Sequence, residues 1–220
     1  MDWLIAIIEG VVAALCASFI SLAGLQFFRP KLRIVPFISA NYSEELQSLR
    51  FTIKIVNQSR RRLVEPRLEL VLVYRNKDGI EKDKLIERER ADPMSIAGHR
   101  PKDDAGKTSG TYSATYSDLS RLISERVHGS IGGVKLRFRI YAKDEWTGIG
   151  RLFHITFTDL PSQIIYGRFV SGDSDNISAK EPHPSWLKME EIFSREESAE
   201  TEPQESPVPS PRNAAAPGDD

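Results

Sequence analysis

At residues 135–140 the chain reads Lys135-Leu136-Arg137-Phe138-Arg139-Ile140, in which charged and apolar side chains alternate without exception. Successive side chains of a β-strand point to opposite faces, so this pattern predicts a strand with one face on a core and the other in water. The same period of two recurs at residues 51–55, 68–72 and 153–157. Half-buried strands of this kind are typical of antiparallel sheets.

Weaker strand patterns lie at residues 32–39, 84–88 and 164–170, and turn signals lie at residues 76–79 and 144–148. Roughly seven short strands separated by such turns predict a mainly β fold, namely an immunoglobulin-like antiparallel β-sandwich.

Two stretches of the soluble part depart from the strand pattern. Ser117 is a good N-cap for one helix whose apolar residues have helical spacing: Leu119, Leu122, Ile123 and Val127. Residues 91–115 are rich in Gly, Ser, Thr, Lys and Asp and have no period, which predicts a long loop.

The N-terminal 26 residues from Trp3 to Phe28 contain a single charged side chain, Glu9. About 20 apolar residues in a helix cross a hydrocarbon core of about 30 Å, so the segment predicts one uncleaved transmembrane helix. Composition then divides the chain into an anchor (1–28), a β-sandwich domain (29–172) and a disordered, acidic tail rich in Pro, Ser and Glu (173–220).

Charge predicts the orientation of the anchor. Arg29, Lys31 and Arg33 follow the helix and only Asp2 precedes it, so the N-terminus is expected outside and the C-terminal domain in the cytosol. Residues 29–172 carry 26 Lys and Arg against 17 Asp and Glu, and residues 173–220 carry 4 against 12. A basic domain of this kind is attracted to an anionic lipid leaflet.

A run of three arginines is the clearest candidate for binding anionic ligands or lipid headgroups. The complete predicted set is Lys54, Arg60, Arg61, Arg62, Arg67, Lys135, Arg137 and Arg139. The alternative is that these charges are solvated and paired with Glu65 and Glu69. Nucleic acid is not an expected partner, because no aromatic residues that would stack on bases are interleaved on that strand face.

Two further segments suggest association. Glu9 and the small residues Gly10, Ala14 and Ser18 predict self-association of the anchor into a homo-oligomer, with a Glu9-lined pore as an alternative function. The competing interpretation is that Glu9 lies near the membrane–water interface, where its side chain either reaches the headgroups or is protonated. Trp186, Met189 and Phe193 share one helical face and predict docking, either to an unknown protein partner or back onto the domain.

No catalytic, cofactor or metal motif is complete. The four histidines His99, His128, His154 and His183 have no metal-ligand spacing, and Ala105-Gly106-Lys107-Thr108 lacks the earlier glycine of a phosphate-binding loop. We therefore expect no enzyme activity, no cofactor and no metal. The sequence predicts a single-pass, membrane-anchored β-sandwich that acts as a binding or scaffold module.

Overall fold

The computed structural model describes residues 2–27, 29–76, 78–90, 92–99, 110–117, 119–127, 133–172 and 174–201. In these residues the chain is mainly β, with two sheets that form a sandwich and one apolar N-terminal helix. The elements are α1 (Asp2–Phe27), β1 (Leu32–Ser43), β2 (Ser48–Asn57), β3 (Leu63–Arg75), β4 (Glu81–Ile86), β5 (Ser95–Ile96), β6 (Thr111–Tyr116), α2 (Leu119–Val127), β7 (Val134–Asp144), β8 (Gly150–Phe157), α3 (Leu160–Gln163), β9 (Ile164–Phe169), β10 (Ile177–Ala179) and α4 (Pro184–Thr201).

The first sheet, sheet I, has the strand order β10-β9-β1-β2-β6, and sheet II has the order β4-β3-β7-β8 with β5 paired to β3. The predicted mainly β sandwich is confirmed, with one difference. Residues 38–40 of β1 run parallel to residues 164–166 of β9, so sheet I is mixed. The reason is a crossover: the chain leaves β8 in sheet II, passes through α3 and joins sheet I in the direction of β1.

The core lies between the sheets and contains the apolar half of each alternating strand. Phe51, Leu70, Leu72, Phe138 and Phe157 are completely buried. Burial of side chains of this size contributes about 1.5–3 kcal/mol each, which is why a register slip that exposed them is strongly disfavoured.

Helices complete the core. In α2 the predicted apolar residues Leu119, Leu122 and Ile123 are buried, which confirms the helix. In α4, Trp186, Met189 and Phe193 are 7%, 4% and 4% exposed and belong to the same hydrophobic cluster. This segment therefore docks onto its own domain.

Two predicted irregular segments are more ordered than expected. Residues 174–193 of the predicted tail carry ordered elements, because β10 pairs with β9, and Trp186, Met189 and Phe193 of α4 pack on the core. Residues 202–220 lie outside the described part of the chain. The predicted loop 91–115 contains β5 and all but the last residue of β6, which pairs with β2 and buries Ala114 and Tyr116; its residues 91 and 100–109 are not described.

The N-terminal helix α1 has the length and composition of a membrane span. Its segment Ile5–Gly24 has a mean hydropathy of 2.3 and is not covered by the rest of the structure. Apolar side chains such as Phe19, which is 75% exposed, would be costly in water and are stable in lipid.

Candidate anion-binding surfaces

The predicted cationic residues do not form one site. Lys54 lies on the outer face of β2, as the alternation predicts, but it is only 3% exposed. Its Nζ donates to the carbonyl oxygens of Val170 at 2.8 Å and Ser174 at 2.7 Å. Lys54 thus holds the β9–β10 loop against sheet I, and its assignment to an anion site stays a prediction. Sequence periodicity gives the face of a strand and contains no signal that a distant loop covers it.

The outer face of sheet II carries four of the predicted residues, Arg67, Lys135, Arg137 and Arg139, as the period of two predicts. Acidic residues are interleaved with them. Glu69 stands opposite Arg139 in the strand register, and the Arg137 guanidinium lies 3.8 Å from both Glu81 and Asp83.

Charged residues at the edge of the same face also form an ion pair. Lys143 Nζ lies 2.6 Å from Glu65 Oε2, and this contact lowers the pKa of Glu65 and raises the pKa of Lys143. The outer face of sheet II is a mosaic of opposite charges, which fits the alternative interpretation of paired, solvated side chains.

The Arg60-Arg61-Arg62 turn lies beside the residue from which the chain enters the sandwich. The Gln58 N–H donates to the Lys31 carbonyl at 2.8 Å, and Lys31 directly precedes β1. Arg60 and Arg62 are exposed, whereas Arg61 is half-buried. The turn and the end of the anchor segment are therefore neighbours in space.

Buried polar contacts fix the conformation of this turn. The Asn57 side chain is fully buried and donates to the carbonyls of Arg61 at 2.8 Å and Ala97 at 2.9 Å. Its Oδ1 accepts from the Ser59 N–H at 3.0 Å. Gly98 packs so closely that a Cβ there would lie 2.2 Å from the Arg60 carbonyl oxygen, so only glycine fits.

Asp144 connects the turn to the β7–β8 hairpin. Its carboxylate is 1% exposed and accepts from Arg61 Nη1 at 3.3 Å and from the N–H groups of Trp146 and Thr147 at 3.1 and 3.0 Å. The Arg61 guanidinium also lies 5.5 Å from the centre of the Trp146 ring. Trp146 as a residue is 76% exposed.

We call Lys31, Arg60, Arg62 and Trp146 the anchor-proximal surface. It combines three exposed cations with an exposed indole, which the arginine turn contacts through Arg61. Sequence reasoning found the arginine run and missed Trp146, whose only signal was its place in a hairpin turn.

A second cationic region, the arginine cleft, was not predicted. It is a cavity of about 380 Å³ on the outer side of sheet I, and Arg50, Arg88, Arg90 and Arg168 line it together with Asn41, Thr52, Tyr112, Ser113, Thr115 and Glu89. These four arginines come from three distant segments of the chain, so no local sequence pattern reveals the site.

The small residues of α1 would allow a second helix to approach closely. A Cβ on Gly10 would meet no atom within 4 Å, and Ser18 Oγ donates to the Ala14 carbonyl of its own helix at 2.8 Å. Association through Glu9, Gly10, Ala14 and Ser18 stays a prediction.

Among the residues that the structure describes, no group of three or more His, Cys, Asp and Glu side chains is arranged to hold a metal ion. No model of a known protein family matches the chain, and no curated protein compared with it is significantly similar. Its proposed function therefore depends on the chemistry of its own residues.

Proposed function

We propose that this chain is a single-pass, membrane-anchored binding module whose β-sandwich rests with its anchor-proximal surface on anionic lipid headgroups of the cytosolic leaflet. The observation that carries the proposal is the hydrogen bond from Gln58 to the Lys31 carbonyl, which holds the arginine turn beside the end of the anchor segment. The proposed role is binding and display rather than catalysis.

The chemistry of the anchor-proximal surface suits a lipid interface. A basic residue close to an anionic leaflet contributes about 1 kcal/mol, and Lys31, Arg60 and Arg62 are exposed cations there. Arg62 contributes less than a free cation, since Glu145 lies 3.9 Å away. The Trp146 indole suits the headgroup level, where amphipathic rings are enriched.

The orientation is part of the same proposal. Basic residues after the anchor favour retention of that end in the cytosol, and the cytosolic leaflet is the anionic one. Lys31 belongs to both sets of cations, so one of the residues that would orient the helix would also attract the domain to the surface.

The first test measures how well anionic lipid shields Trp146. The full chain is reconstituted in nanodiscs, and acrylamide quenching of Trp146 is obtained by difference from a Trp146→Phe chain. We expect quenching to fall when anionic lipid replaces zwitterionic lipid. Arg60→Glu with Arg62→Glu should abolish that fall, because the reversal removes at least about 2 kcal/mol of attraction, or about thirty-fold in the equilibrium.

The matched control applies the same charge change elsewhere. Arg67→Glu with Arg139→Glu alters the outer face of sheet II and should leave the shielding intact, while high salt should weaken it in the unmodified chain. Equal quenching of Trp146 in both lipids, or equal loss of shielding in the control pair, would refute the proposed contact.

A further inference from the structure

The arginine cleft has a floor and a wall built from different strands. Arg50, Thr52, Ser113 and Thr115 belong to β2 and β6, and Arg168 belongs to β9. The segment 88–90, which follows β4, forms the wall and is attached to the edge of sheet I by a hydrogen bond from the Glu89 N–H to the Thr115 carbonyl at 3.1 Å.

Two of the four arginines are paired within the domain. Arg50 forms a two-pronged contact with Glu89, with Nε–Oε1 at 3.1 Å and Nη2–Oε2 at 2.8 Å. Arg88 pairs with Asp92, and its Nη1 is buried without a hydrogen-bond partner in the described part of the chain. These pairs give the wall its position and leave part of the Arg88 donor capacity unused.

Arg90 and Arg168 differ from Arg50 and Arg88 in their exposure and ion pairing. Both are exposed at the cleft, and neither forms an ion pair with any residue that the structure describes. With Arg50 and Arg88 balanced by Glu89 and Asp92, these two guanidinium groups leave a charge of about +2 among the described residues of the cleft and its ion pairs. A structural role accounts for Arg50 and Arg88 and gives no reason for placing Arg90 and Arg168 around the same cavity.

We propose that the arginine cleft binds a small soluble molecule that carries a phosphate monoester group. A phosphate dianion matches in charge the two guanidinium groups of Arg90 and Arg168, and guanidinium forks match phosphate oxygens in geometry. The hydroxyls of Thr52, Ser113 and Thr115 and the Asn41 amide supply neutral donors. A cavity of about 380 Å³ falls within the usual size of small-molecule sites and leaves room for an organic part.

The position of the cleft favours a soluble ligand over a bilayer lipid. Asn41 pairs with Arg50 nine residues along β1 from Leu32. At about 3.3 Å per residue, this places the Asn41–Arg50 end of the cleft up to roughly 30 Å along β1 from Leu32. The anchor-proximal surface and the arginine cleft are therefore separate, and the two proposals fail independently.

The test uses the full chain in zwitterionic nanodiscs with inorganic phosphate and phenyl phosphate as probes. Binding is followed by broadening of the phosphorus NMR signal and by the rise in Tm, since a ligand that binds only the folded state stabilises it. We expect saturable binding of both probes. Arg168→Gln and Arg90→Gln should each weaken it about tenfold or more, because each removes a charge-assisted contact.

Arg121→Gln is the matched control, since Arg121 is exposed on α2 and pairs only loosely with Glu125 at 3.8 Å. It should leave the affinity unchanged, and the Tm without phosphate should be the same in all three variants. The absence of saturable phosphate binding, or unchanged affinity in Arg168→Gln and Arg90→Gln, would overturn the proposal. Displacement of phenyl phosphate by nanodiscs that contain phosphatidic acid would overturn the assignment to a soluble ligand and identify a lipid as its source.

Discussion

Replacing Trp186 by alanine is expected to lower the free energy of unfolding by about 3–5 kcal/mol, the usual cost of removing a buried aromatic side chain. Trp186 is 7% exposed, and its ring lies 5.6 Å from that of Tyr166 at an interplanar angle of 38°. The substitution opens a cavity between α4 and the sandwich. Chemical denaturation of the purified full chain, followed by near-ultraviolet circular dichroism, measures the change.

Leu187→Ala is the control for this prediction, because Leu187 is the next residue of the same helix and is 49% exposed. It should cost about 1 kcal/mol or less. If Trp186→Ala were as mild as Leu187→Ala, α4 would be a separate tail and its contacts with the core would contribute no stability.

Asp144→Ala is expected to have the second-largest effect, about 3–5 kcal/mol of unfolding free energy. The carboxylate is almost completely buried and is the common acceptor for Arg61, Trp146 and Thr147. Its removal leaves the half-buried guanidinium and two backbone N–H groups without their acceptor. The same denaturation experiment measures the loss, and Trp146 should become more accessible to acrylamide as the hairpin tip loosens.

Glu145→Ala tests whether burial is the cause. Glu145 is the neighbouring carboxylate, 41% exposed in its side chain and 3.9 Å from Arg62. Exposed ion pairs of this kind contribute about 0–1 kcal/mol, so the change should be small. A large effect of Glu145→Ala together with a small effect of Asp144→Ala would contradict the assigned network.

The core strands were predictable because one local rule determines them. In β7 the alternation of Leu136, Phe138 and Ile140 with cations specifies both the strand and its buried face. The parallel pairing of β9 with β1 was not predictable, because it depends on where a crossover returns and not on the composition of either strand. The docking of α4 was left open for a similar reason: an amphipathic segment does not specify which surface covers it.

For the candidate surfaces, too, local sequence patterns were predictable and contacts made only through the fold were not. The Arg60-Arg61-Arg62 run is contiguous in sequence and was found, whereas its neighbour Trp146 reaches it only through the fold. The arginine cleft draws its four arginines from three segments that are distant in sequence. Lys54 was assigned to the correct strand face, but the loop between β9 and β10 covers it and accepts two hydrogen bonds from its amine.

Protease accessibility of the C-terminus in sealed, right-side-out membrane vesicles tests the proposed topology. If a single-pass anchor holds the sandwich on the cytosolic leaflet, an epitope placed after Asp220 should resist protease until the vesicles are permeabilised. Cleavage of that epitope in intact vesicles would contradict it, because the domain would then lie outside, away from the anionic leaflet.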